Sequence, residues 1–120
     1  ALMFGLVNAS NSTGGQPANR STETLIIEIV TFKLKDGVTL AEFEPIDKAV
    51  QIQHVAKQPG FVARESAHGD KGDWLVVVHW ETAKDADASM ATFISAPAAQ
   101  PFMAKLQAET MRMTRYTRRK

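Results

Sequence analysis

Seven consecutive residues, Trp74-Leu75-Val76-Val77-Val78-His79-Trp80, constrain this chain more than any other stretch. An apolar, β-branched run bounded by Gly72-Asp73 reads as a strand buried on both faces. It carries Trp74, Val76, Val78 and Trp80 on one side and Leu75, Val77 and His79 on the other. Directly behind it, Thr82 opens a helical pattern in which Ala86, Met90 and Phe93-Ile94 recur at three- and four-residue spacings. A central strand hands over to a helix, and the rest of the chain must supply cover for both faces of that strand.

With 120 residues there is room for one core and not for two. The folded domain is expected from residue 23 to 120, with a basic C-terminal tail, behind a separate lead of residues 1–22. Within that lead, Ala1 to Val7 is apolar, and Val7 with Ala9 gives the small-residue spacing that a signal peptidase reads. The run fits a signal remnant or an apolar arm, which leaves the compartment open between export and the cytoplasm. At seven residues it is too short to span a bilayer. Asn8 to Thr22 is polar, rich in Gly, Ser and Asn, and without periodicity, as in a linker.

Leu25 to Leu34 is strand-like and closes at the turn Lys35-Asp36-Gly37. One face holds Leu25, Ile27, Ile29 and Thr31, and the other holds Ile26, Glu28, Val30 and Phe32. Glu28 is the odd member: it is either a pocket acid or a carboxylate that points to solvent or pairs with an arginine. Thr39 and Glu42 have capping-box spacing ahead of a helical stripe through Phe43, Ile46, Val50 and Ile52 towards Lys57. Pro45 predicts either a separate first turn or a main helix that begins at the proline. His54 stands at the margin of the stripe, as a helix-edge residue or else a ligand or base. Gln58-Pro59-Gly60 ends the helix.

A second strand is expected over Phe61 to Ala67, and the glycine-bearing turn from His68 to Asp73 leads into the central strand. Ser95-Ala96-Pro97 ends the second helix, and Pro97 to Leu106 has room for a short helical turn containing Phe102 and Met103. Thr110 to Thr117 alternates, with Met111 and Met113 on one face and Arg112, Thr114 and Tyr116 on the other. Strand, helix, strand, strand, helix, strand is the order of a ferredoxin-like α+β unit, a four-stranded antiparallel sheet with its helices on one side. An apolar sheet face left bare by that arrangement needs cover, and a homodimer through the sheet faces supplies it.

The charge is +1 overall but uneven: Arg112, Arg115, Arg118, Arg119 and Lys120 follow a segment with nine basic and thirteen acidic residues. No aromatic interleaving accompanies that tail, so it reads as solvated and not as a nucleic-acid contact. With no cysteine, disulfides and thiolate chemistry are excluded. His54, His68 and His79 fall on a helix, a turn and a strand without ligand spacing, so no metal site is expected.

Glu28 to Gly37, Gln58-Pro59-Gly60-Phe61, His79-Trp80-Glu81-Thr82 and Pro97 to Met103, taken in order, resemble the antibiotic-biosynthesis-monooxygenase-like group. The resemblance covers residues 25 to 117. It implies a dimeric α/β barrel in which each subunit has a small apolar pocket between sheet and helices. It also implies either a cofactor-independent oxygenase of a small aromatic phenol or quinol, or a non-catalytic protein that holds a small apolar ligand. Haem-degrading relatives have a histidine after the second helix and an asparagine on the first strand. This chain has neither, and no cofactor is expected.

Oxidation without a cofactor needs a base to make a phenolate, aromatic walls, and a donor for the oxyanion. His79 is the expected base, or else a hydrogen-bonded residue at the dimer interface. Tyr116 or Arg112 is the expected donor, with Trp80, His54, Glu28 and Phe102 as binding residues. His79 and Trp80 are neighbours on one strand and point to opposite sides, so both line one pocket only if a bulge intervenes.

Overall fold

The structure, a computed structural model, describes residues 25–119. The signal-remnant and linker expectations for residues 1–22 lie outside the described residues. Strand β1 (Ile26–Leu34) is followed by helix α1 (Leu40–Gln53) and a single 3-10 turn (Val55–Lys57). Strands β2 (Phe61–His68) and β3 (Asp73–Trp80) form a hairpin, and helices α2 (Ala83–Phe93) and α3 (Ala99–Ala104) lead to β4 (Leu106–Thr117). The sheet is antiparallel in the order β2-β3-β1-β4, the ferredoxin-like arrangement expected from the sequence.

The alternation of β3 decides which face meets the helices. Trp74, Val76, Val78 and Trp80 are buried beneath them, while Leu75, Val77 and His79 are half-buried on the opposite face. Phe43 of α1, completely buried, meets Trp74 edge-on at 4.9 Å and packs against Phe32 and Phe102. Rings at these separations add about 0.5–1.5 kcal/mol per pair beyond the area they bury.

Both helix starts follow their caps. Thr39 Oγ1 accepts from the backbone N–H of Glu42 at 3.1 Å, and Thr82 Oγ1 accepts from that of Asp85 at 3.0 Å. Pro45 neither separates a first turn nor begins the helix, contrary to both expectations: α1 runs continuously through it. The proline removes one hydrogen bond close to the N-terminus, and the Thr39 cap and buried Phe43 hold the first turn in place.

Strand β4 starts at Leu106, well before the expected Thr110. Between Thr31 and Lys33 the β1–β4 register shifts, so that Thr31 faces Arg112 and Lys33 faces Gln107. Thr110 fills this bulge: its hydroxyl accepts from the N–H of Lys33 at 2.9 Å and donates to the Gln107 carbonyl at 2.6 Å. A second bulge lies in β2, where Phe61 faces Trp80 and Ala63 faces His79, with Val62 the extra residue.

Candidate functional site

Between the helix-facing side of the sheet and helices α2 and α3 lies a chamber of about 240 Å3. Val76, Val78 and Trp80 form its floor, and Phe93 of α2 and Phe102 of α3 stand over it. Met90 and Ile94 of α2 and Met113 of β4 line the chamber and are also exposed, so its mouth opens between α2 and the edge strand. Four of the five methionines, Met90, Met103, Met111 and Met113, are in the wall. Thioether side chains rearrange easily around an apolar guest and make favourable contacts with aromatic rings.

Two charged side chains interrupt this apolar lining. Glu28 is placed there by the alternation of β1 and is 7% exposed. Its Oε1 accepts from Trp80 Nε1 at 3.3 Å and its Oε2 accepts from Arg115 Nε at 2.9 Å. Arg115 also donates through Nη1 to Asp87 of α2, joining the edge strand to the helix at the mouth. Burial opposes the charge on Arg115, but the hydrogen bonds to Asp87 and Glu28 outweigh it and raise the guanidinium above its ordinary value.

Arg64 is the second charged side chain. Its Nη2 donates to Asp47 Oδ1 at 2.7 Å and its Nη1 to Asp47 Oδ2 at 3.1 Å, while Ser66 Oγ donates to the same carboxylate at 2.8 Å. The side chains of this pair are only 2% and 6% exposed. A bidentate arrangement with a further hydrogen bond to the carboxylate is the geometry in which a buried ion pair is tolerated.

The residues proposed from the sequence separate onto two faces. Trp80, Glu28 and Phe102 line the chamber. His54 is buried behind its wall, with Nε2 3.4 Å from both the Ser89 carbonyl and Thr92 Oγ1, and it ties the end of α1 to α2. His79, Tyr116 and Arg112 are on the opposite sheet face, so none of the three meets the chamber. Ile27 pairs with His79 on one side and Tyr116 on the other, and Thr31 pairs with Arg112. Arg112 donates to the carbonyls of Glu109 and Met111 on its own strand. The bulge that would unite His79 with Trp80 is absent from β3, whose burial alternates without a break.

Arg64, its partner Asp47, and the methionine wall were not singled out in the sequence. A signal for Asp47 was present: it stands four residues after Phe43 and three before Val50, in the buried stripe of α1, where a carboxylate needs a cation.

A shallower concavity of about 520 Å3 lies at the β2–β3 turn end of the sheet, lined by Lys33, His68, Asp73 and Trp74 among others. Its lysine and aspartate are paired with each other at 2.6 Å on the surface. Among the described residues no group of three or more His, Asp or Glu side chains converges as metal ligands would, and no helix is long and apolar enough to cross a membrane.

No family model matches the sequence, and no curated protein does. Solved structures do match. SnoaB, a cofactor-independent oxygenase from Streptomyces nogalater, superposes with a TM-score of 0.63 at 17% identity, over 81% of this chain and 95% of its own. A candidate antibiotic biosynthesis monooxygenase from Bordetella bronchiseptica gives 0.66 at 17% identity, over 81% and 99%. The fold is the one these two proteins have, a ferredoxin-like α+β unit. PA3566 from Pseudomonas aeruginosa shares this fold, with a TM-score of 0.60 at 14% identity over 81% and 96% of the chains. At such identities the shared property is the backbone, and the chemistry has to be argued from the chamber.

Proposed function

We propose that this protein is a cofactor-independent oxygenase of a small aromatic phenol or quinol, bound in the chamber, with Glu28 as the base. The observation that carries the reading is a buried carboxylate opening onto a largely apolar, aromatic and thioether-lined space. A substrate hydroxyl directed at Glu28 would give up its proton there, and the electron-rich phenolate would pass an electron to dioxygen. Recombination forms the C–O bond of a peroxide, which loses water to leave the quinone. The Trp80 ring supplies an aromatic wall. At about 240 Å3 the chamber falls below the range of roughly 300–1,000 Å3 for drug-sized ligands, which favours one or two fused rings.

A non-catalytic binding role is the second reading. Both carboxylate oxygens of Glu28 already accept hydrogen bonds, from Trp80 and Arg115, and a ligand hydroxyl would join an occupied acceptor.

The sheet face opposite the helices is assigned to a second copy of the chain. Ile27, Ile29, Leu75 and Val77 form its centre and are only half-buried in the single chain. His79, Tyr116 and Arg112 belong to that face and are proposed as interface residues.

The deciding experiment is oxygen uptake by the metal-stripped protein against naphthoquinols and catechols, repeated with Glu28→Gln. The oxygenase reading expects uptake above the protein-free rate and a loss of about 10²–10⁴-fold in the variant with ligand affinity retained. An unchanged rate in the variant would remove Glu28 from the chemistry. Ligands that quench tryptophan fluorescence without any uptake across the panel would establish the binding role instead.

A further inference from the structure

The register aligns four residues in one row across the chamber side of the sheet. Arg64 pairs with Val78, Val78 with Glu28, and Glu28 with Arg115. Arg64 and Glu28 therefore flank Val78 from the two neighbouring strands, with backbones about 10 Å apart, or two strand spacings. Both line the chamber, and the floor between them is apolar.

The two ends are chemically opposite. Glu28 can only accept while it is ionised, and Arg64 can only donate. Asp47 and Gln51 take three of the five N–H groups of Arg64, and the side chain that carries the other two lines the chamber. The guanidinium cannot swing away to solvent, because the bidentate contact with Asp47 fixes its plane.

Resting on the reading of this chamber as an aromatic-phenol site, we infer that Arg64 is its second anchor. The ligand is an aromatic molecule with a hydroxyl at one end, given to Glu28, and a carbonyl oxygen at the other, received from Arg64. Charge selects the carbonyl over a carboxylate. Arg64 is already neutralised by Asp47, and Glu28 by Arg115, so a further buried anion would have no counter-charge. A carbonyl oxygen needs only the donors. Arg64 acts here as a specificity residue, and no step of the oxidation is routed through it.

The test compares two probes of nearly equal shape, 4′-hydroxyacetophenone and 4-ethylphenol, by isothermal titration calorimetry on the full chain. An apolar chamber without a donor ranks the more hydrophobic ethylphenol first. The inference expects the reverse, with the ketone about tenfold tighter, the size of a hydrogen bond to a charged donor. Replacing the whole ion pair, Arg64→Met with Asp47→Leu, should abolish that preference, so that ethylphenol binds at least as tightly as the ketone. An infrared measurement of the isotope-labelled ketone bound to the unmodified protein stands independently of whether the double variant folds: a carbonyl stretch lowered relative to the ketone in an apolar solvent supports the contact. Equal affinities, a preference that survives the double variant, or an unshifted stretch would overturn the inference while the phenol site stands. Binding of neither probe would overturn the phenol site and the inference together.

Discussion

Trp80 and Glu28 are diagonal neighbours on adjacent strands, and the indole N–H of the first donates to the carboxylate of the second at 3.3 Å inside the protein. The pairing puts a hydrogen-bonding aromatic edge beside the Glu28 carboxylate in the chamber lining. Trp80→Phe keeps an aromatic ring but removes the donor and part of the volume. A hydrogen bond to a charged group is worth about 1.5–3 kcal/mol, and the length of this one places it at the low end. With the small cavity added, urea denaturation should show a loss of about 2–3 kcal/mol. A loss below about 0.5 kcal/mol would mean that the indole N–H contributes nothing to holding Glu28.

The Arg64–Asp47 pair should show strong coupling. Asp47→Ala strands a guanidinium that is 2% exposed, and removal of one partner of such a pair costs about 3–5 kcal/mol. Arg64→Met together with Asp47→Leu replaces both charges with apolar groups and should cost less than either single change. A double-mutant cycle by chemical denaturation measures this, and simple additivity would contradict it.

Gly60 and Gly37 both have positive φ, at +80° and +86°, but their surroundings differ. At Gly37 a methyl group meets open space, so Gly37→Ala should cost about 1 kcal/mol, from the backbone alone. At Gly60 the methyl would fall on the Asp85 carboxylate, whose Oδ2 accepts from the Thr82 hydroxyl at the start of α2. Gly60→Ala should therefore cost at least about 1 kcal/mol more than Gly37→Ala in thermal or urea unfolding. Equal losses would show that Asp85 yields freely.

The Glu42 carboxyl is held below its ordinary value of 4.5 by the hydrogen bond and charge of Lys105, which it meets at 2.6 Å. Because the folded value lies below the unfolded one, the stabilisation is fully present above about pH 4.5 and fades as pH falls through the folded value. Both side chains are exposed, so salt should weaken the effect. In a titration followed by NMR, Lys105→Met should return the Glu42 carboxyl towards 4.5. An unmoved titration would show that the lysine is not the cause.

For the assembly, Val77→Asp introduces a charge at the centre of the sheet face opposite the helices without touching the chamber. Sedimentation should give a dimer for the unmodified chain and a monomer, folded by circular dichroism, for the variant. A monomer before the change would overturn the proposed interface.

The sequence by itself determined the architecture. The alternation of Trp74, Val76, Val78 and Trp80 against Leu75, Val77 and His79 is a local property of the chain, and it held in the structure residue by residue. So did Thr39 as a cap and Thr82 as the start of a helix, because a cap is satisfied by a backbone N–H three residues away. What local pattern could not determine was register and cross-element partnership. Pro45 inside α1 and the bulge at Thr110 depend on contacts made elsewhere in the fold. The site depended on tertiary structure more than any other feature. His79 is an evident base in a list of residues, yet strand parity sends it to the face away from the chamber. Glu28 and Arg64, 36 positions apart in sequence, line the same chamber only because β2 and β1 both pair with β3. Whether a charge can be buried depends on a partner across the fold, Arg115 for one and Asp47 for the other, and that partner becomes visible only when the strands and α1 are assembled.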